Sequence, residues 1–225
     1  MKIYGHPWSV YTRKVLMAVA EKGHPANLSL VMMPKGEHKQ PAHVARHPFG
    51  KVPVLDDDGF VLYEASAINS YLDRRLEGPS LIPTEARDAA RMGQWLSVCE
   101  SYLAPHAHPL IVETLFRRYL GGERNAAAIE AGRVGMQTAL DTADGWLASN
   151  AYLAGTSFSL ADIHWMPHLE YLTQIGYADE VTGRTHLGAW WQRVSSRPTW
   201  LSVARKGPQP YEEVMTADVI EKTYR

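Results

Sequence analysis

The sequence predicts two consecutive domains, a small mixed α/β sandwich followed by an all-helical domain. Three observations predict it. Short apolar runs separated by turn residues dominate as far as Tyr63. Gly78-Pro79-Ser80, with Pro83 close behind, is the clearest break in the chain. Beyond it, apolar residues recur at helical spacing through Trp200. The expected division is 1–78, a linker at 79–85, and 86–225.

Met1 to Tyr4 reads as a strand stopped by Gly5, and His6-Pro7-Trp8 as a loop. Ser9 stands where a helix begins, since Val15, Ala18 and Val19 follow at helical spacing and Gly23-His24-Pro25 ends the run. Asn27 to Met33 is the second strand candidate, and the polar stretch 34–39 a surface loop. Ala42 to Arg46 makes a short helix before Pro48. Val52 to Leu55 and Phe60 to Tyr63 form a hairpin, with Asp58-Gly59 at its turn. Glu64 opens a helix whose Ile68, Tyr71, Leu72 and Leu76 share a face. The order β-α-β, connection, β-β-α gives two parallel strands around a helix and then an antiparallel hairpin. Pro53 sits at a strand start, where a cis bond would present the backbone of Val52 to a ligand.

In the second half, a long helix runs from Thr84 through Trp95 and Tyr102 toward Tyr119, and Gly121-Gly122 stops it. A second spans about Asn125 to Ser149. Ser159-Leu160-Ala161-Asp162 is a capping box that starts a helix to about Ile175. Another runs from Arg184 to Ser196, and Arg197-Pro198-Thr199-Trp200 opens a last short one.

Composition excludes several classes. With 45% hydrophobic and 21% charged residues the chain is an ordinary globular one. A net charge of −1 and a pI of about 6.8 invite neither nucleic acid nor an anionic membrane. No apolar run is long enough for a membrane span. The N-terminus goes straight into a strand rather than a leader segment. The single Cys99 fits a reducing compartment, so a cytoplasmic protein is expected.

A hydroxyl at a helix N-terminus, directly after the first strand, is placed to meet an anion, because free N–H groups and the positive helix end point there. Ser9 is equally a plain helix cap on local grounds alone.

The chain carries Gly5-His6-Pro7-x-Ser9-x-x-Thr12-Arg13-x-Val15 at its N-terminus. Gly36-Glu37-His38-Lys39, Pro48-Phe49-Gly50-Lys51-Val52-Pro53 and Tyr63-Glu64-x-x-Ala67-Ile68 follow. Later come Ser159-Leu160-Ala161-Asp162, His164-x-x-Pro167, Ala189-Trp190-Trp191 and Arg197-Pro198-x-Trp200. Taken together, in this order and spacing, the motifs resemble those of the cytosolic glutathione S-transferases, most closely the phi class. The resemblance spans about residues 2 to 205 and leaves the tail from Lys206 uninterpreted.

It implies a thioredoxin-like domain before the all-helical one, a homodimer, and glutathione as co-substrate with no tightly bound cofactor. It also implies conjugation of the tripeptide's thiol to a small hydrophobic electrophile. The nucleophile is the thiolate, and a thiol near pKa 8.5 is only a few per cent ionised at neutral pH. Lowering that pKa by about two units takes roughly 2.7 kcal/mol. A hydrogen bond to a charged acceptor supplies ~1.5–3 kcal/mol, and a helix N-terminus ~0.3–1 more, up to ~2 when partly buried. Ser9 as donor to sulfur therefore suffices, with no histidine base. Tyr4, Tyr11 and Thr12 are competing hydroxyls, and Arg13 either assists the field at sulfur or bridges to the second domain.

The resemblance further assigns glutathione contacts to Trp8, His38, Lys39, Lys51, Val52, Pro53, Glu64 and Ala65. His38 and Lys39 address the glycyl carboxylate, Lys51 adds a cation, Val52 offers its backbone, and Glu64 meets the γ-glutamyl end. Ala65 departs from the family, which usually places a serine there to hold the γ-glutamyl carboxylate. Weakened glutathione affinity is the expected consequence. The electrophile pocket is expected between the domains, from Trp8, Tyr11, Tyr102, His106 and Met166.

Three other readings were open. A metal site could use His106 with His108, or His164 with His168, but no glutamate stands in the metalloprotease place and Pro167 interrupts that helix. A redox site of the Cys-x-x-Cys kind is replaced by Ser9-Val10-Tyr11-Thr12, though glutathione-dependent peroxidase activity stays compatible with Ser9. A non-catalytic ligand-binding or assembly module has the same fold.

Overall fold

A computed structural model describes residues 1–117 and 121–204 of the chain. The described residues divide into two compact units, 1–80 with 198–204, and those within 81–197. Among the described residues, no helix is long and apolar enough to cross a membrane.

The first unit holds a four-stranded sheet, β1 (Lys2–Gly5), β2 (Leu28–Leu30), β3 (Val54–Asp57) and β4 (Phe60–Tyr63), in the order β2-β1-β3-β4. β1 and β2 are parallel, and β1/β3 and β3/β4 antiparallel. The parallel pair and the antiparallel hairpin are those the sequence predicts, and the antiparallel β1/β3 pairing joins them into one sheet. The β3–β4 turn places Asp58 at φ 54° and Gly59 at φ 93°, the paired left-handed residues of a type I′ hairpin. β2 is shorter than its apolar run, because Met33–Lys35 and Glu37–Lys39 wind into 3₁₀ turns instead. Helices α1 (Val10–Glu21), α2 (Pro41–Val44) and α3 (Ala65–Arg75) complete the layer. Ile3, Val15, Val19, Leu55, Ile68 and Leu72 are fully buried.

A charged pair closes the base of this unit. Lys22 Nζ, on the C-cap of α1, lies 3.2 Å from Asp73 Oδ1 with both side chains almost wholly buried. It also donates to the carbonyls of Asp73 and Gly78. Gly78 is needed there: a Cβ would stand 2.4 Å from the Lys22 carbonyl oxygen.

In the helical unit, α4 (Ala86–Val98) and α5 (Ala104–Ile111) are joined by a π-helical segment, Cys99–Leu103, and a second such segment, Val112–Phe116, follows α5. Pro105 lacks the N–H an α-turn would use, and the wider turn closes instead from the Ala104 N–H to the Cys99 carbonyl. The expected continuation to Tyr119 lies outside the described residues. The helix expected over 125–149 is two, α6 (Ala126–Gly135) and α7 (Gln137–Leu147), parted at Met136. Gly132 and Gly135 press against α5 so closely that a Cβ on Gly135 would meet His106 Nδ1 at 2.2 Å. That contact is long-range, which is why helical periodicity alone runs through the break.

The capping box forms as expected at the head of α8 (Leu160–Gln174), and fully buried Asp162 also accepts from Trp190 Nε1 at 2.8 Å and the Leu153 N–H at 3.0 Å. The short α9 (Ala178–Thr182) was not anticipated; α10 (Thr185–Ser195) was. The last described helix, α11 (Pro198–Val203), falls within the first unit rather than the second, because it packs on α1 and carries buried Trp200 and Val203.

Candidate functional site

Register alone gathers the candidate residues at one end of the sheet. Tyr4 pairs with Val54, and Val54 with Tyr63. The chain leaving β1 toward Ser9, the chain entering β3 through Val52-Pro53, and the chain leaving β4 into Glu64-Ala65 therefore share that end. β2 runs parallel to β1, Leu30 beside Gly5, so the turns carrying His38 and Lys39 follow from the same end.

Ser9 is the N-cap of α1. Its hydroxyl oxygen accepts from the Thr12 N–H at 3.3 Å. A hydroxyl that accepts through a lone pair keeps its own hydrogen to donate, so capping and binding an anion do not compete. The first turn of α1 has no acidic residue, and buried Arg13 and Lys14 follow in it and the next. The field at Ser9 therefore favours negative charge. The loop before it is fixed by His6, whose Nδ1 accepts from the Trp8 N–H at 3.2 Å. Gly5 lets the strand pass Thr12: a Cβ there would stand 2.6 Å from Thr12 Oγ1.

The competing hydroxyls are placed differently. Thr12 Oγ1 turns inward and accepts from the His6 N–H at 3.4 Å. The Tyr4 ring lies 4.5 Å under the Arg46 guanidinium. Tyr11 is half-buried, with Lys14 Nζ 4.4 Å over its ring. Arg13 is buried 5.2 Å over the Trp200 ring, a contact inside the first unit.

The Val52–Pro53 peptide is cis. Among the described residues, neither backbone group of Val52 is hydrogen-bonded. The preceding carbonyl, of Lys51, is held by His43 Nε2 at 2.7 Å. Lys39 crosses to the same loop and donates to the Phe49 carbonyl at 3.3 Å. Gly50, at φ 55°, admits it, since a Cβ there would lie 2.9 Å from the His38 carbonyl oxygen. His38, Lys39, His43, His47 and Lys51 are thus brought together. Burial first, and then the cations around them, hold His38 and His47 below the ordinary histidine value.

At the third segment, Glu64 takes φ 72° and ψ 117°, a strained backbone for a residue with a side chain. It caps α3 without a side-chain hydrogen bond, so the N–H groups of the first turn have no side-chain cap. Ala65 is buried there at 4% exposure.

Within the helical unit, Tyr102 is 63% exposed and Met166 fully buried. The His106 ring stands against Gly135. Sequence reasoning missed the anchoring roles of His6 and His43. Both bond to backbone groups, and only the turn residues Pro7 and Pro48-Phe49-Gly50 nearby hinted at folded loops.

The family model described as Glutathione S-transferase, N-terminal domain, matches residues 8–75, and Glutathione S-transferase, C-terminal domain, matches 103–198. Glutathione S-transferase 4 of Zea mays is 34% identical over 208 residues, 92% of this chain and 93% of its own. The crystal structure of glutathione transferase F7 from Populus trichocarpa superposes with a TM-score of 0.85 at 34% identity, covering 90% of this chain and 96% of its own. Glutathione S-transferase I from mais, in complex with an atrazine glutathione conjugate, superposes with a TM-score of 0.82 at 28% identity, covering 90% and 95%.

Proposed function

Because the chain belongs to the glutathione S-transferase family and is most like its phi class, we propose that Ser9 stabilises the glutathione thiolate for attack on a small apolar electrophile. The observation that carries this reading is the cap itself. The Ser9 oxygen is occupied by the Thr12 N–H while its hydrogen stays available, at a helix start with no acidic neighbour.

In the proposed binding mode the tripeptide lies along the gathered end of the sheet. The Val52 backbone pairs with the cysteinyl residue as an added strand would. His38, Lys39 and Lys51 meet the glycyl carboxylate. The uncapped first turn of α3 takes the γ-glutamyl carboxylate, with Ala65 contributing its N–H alone, and Glu64 the ammonium. Trp8 and Pro53 shape the floor of this site. The thiol proton leaves to water, and the sulfur bonds to the electrophilic carbon as the leaving group departs with its electron pair. Tyr11, beside Ser9, supplies aromatic surface for such a partner. The reaction is a detoxifying one, carried out in a cytoplasmic homodimer.

Turnover of a generic aryl halide with glutathione, wild type against Ser9→Ala, tests the reading. A fall of about tenfold or more is expected, from the loss of one charge-assisted hydrogen bond. Equal rates would leave Ser9 a helix cap and nothing more.

A further inference from the structure

From Gly5 to Val10, only Ser9 is not buried. The loop that presents it turns on His6, whose main chain and side chain both reach forward into the same segment. The His6 N–H donates to Thr12 Oγ1 at 3.4 Å, and the His6 carbonyl accepts from the Ser9 N–H at 2.9 Å. Both bonds come from the main chain, so any residue other than proline makes them. The third needs the side chain: imidazole Nδ1 accepts from the Trp8 N–H at 3.2 Å, across Pro7, which has no N–H of its own. A side-chain acceptor bonded to the N–H two residues on is the closure that asparagine and aspartate give to an Asx turn. Histidine supplies it only as the neutral ring with its hydrogen on Nε2, because an Nδ1 that accepts carries none. That ring is 1% exposed and stands edge-on to the Trp8 indole, with centroids 5.2 Å apart.

The residue held in this way is the one before Ser9, so a turn of the Trp8 peptide moves the hydroxyl. The helix start fixes Ser9 from one side and His6 fixes it from the other. We propose that His6 is a positioning residue for the thiolate reaction, its imidazole holding the Ser9 hydroxyl on the sulfur through the Trp8 peptide. The inference rests on the assignment of Ser9 to the thiolate. A misplacement of about 1 Å costs up to about 10²-fold in rate. It costs less in binding, because the tripeptide is held at several other points.

The test is turnover of an aryl halide with glutathione, alongside calorimetric titration of S-methylglutathione, for His6→Leu and His6→Asn, with and without Ser9→Ala. His6→Leu should lower kcat about tenfold or more, while the Kd of S-methylglutathione changes less than about threefold. His6→Asn, whose Oδ1 takes the place of Nδ1 as acceptor before a proline, should recover most of that loss. On the Ser9→Ala background His6→Leu should have little further effect, because the hydroxyl it positions is already gone. Where His6→Leu does not fold, His6→Gln, whose acceptor sits one carbon too far out, gives the same comparison. Equal losses in His6→Leu and His6→Asn, or a His6→Leu loss as large with Ser9→Ala as without it, overturn the inference while Ser9 keeps its role. If Ser9→Ala alone matches wild type, the thiolate reading falls and this inference with it.

Discussion

Replacing Ala65 by serine should convert a weak contact into a strong one. Ala65 opens α3 and is 4% exposed, beside first-turn N–H groups that no side chain caps. In the free protein, an added hydroxyl is partly desolvated and costs up to ~1 kcal/mol. With glutathione bound, the same hydroxyl faces the γ-glutamyl carboxylate, and a bond to a charged group is worth ~1.5–3 kcal/mol. Even the lower end is about a tenfold fall in Kd. Ala65→Ser should therefore lower the urea midpoint of the free protein slightly and tighten glutathione about tenfold by calorimetry. Cysteinylglycine, which lacks the γ-glutamyl group, should show no gain. Unchanged or weaker glutathione binding would refute the placement of the γ-glutamyl end at α3.

The first unit yields three further outcomes. Lys22→Met leaves the Asp73 carboxylate buried without its cation, and breaking such a pair costs about 3–5 kcal/mol; a loss below about 1 kcal/mol in chemical denaturation would show the pair to be incidental. His38 and His47 are held below the ordinary value of 6.5 by burial and neighbouring cations. The unfolded chain then binds more protons between their folded values and 6.5, so their contribution to stability is full above pH 6.5 and lost as pH falls below it. A carboxylate bound beside Lys39 and Lys51 favours the protonated rings of His38 and His47. S-methylglutathione should accordingly bind more tightly at about pH 5.5 than at about pH 7.5, with proton uptake, and equal affinity would contradict that.

Much of this architecture is local and so was legible. The hairpin needed two left-handed residues, and Asp58-Gly59 supplied them. The capping box at Ser159 and Asp162 and the cap at Ser9 rest on side chains within three residues of the groups they bond. What was hidden is non-local. The break at Met136 follows from glycines seated on α5, and the place of α11 from Trp200 meeting Arg13. His43 reads in sequence as one basic residue of a short helix, and only the fold brings its partner, the Lys51 carbonyl eight residues on, within 2.7 Å. The candidate site was legible as a set of motifs. The end of the sheet that collects them follows only once the register of β1, β3 and β4 is known.

The central claim is that the Ser9 hydroxyl lowers the pKa of bound glutathione. The ultraviolet absorbance of the thiolate, titrated against pH in the binary complex, measures it directly. Wild type should give a thiol pKa about two units below that of a free thiol, and Ser9→Ala should raise it by one unit or more, about 1.4 kcal/mol. An identical pKa in the two proteins, with glutathione bound equally well, would contradict the account.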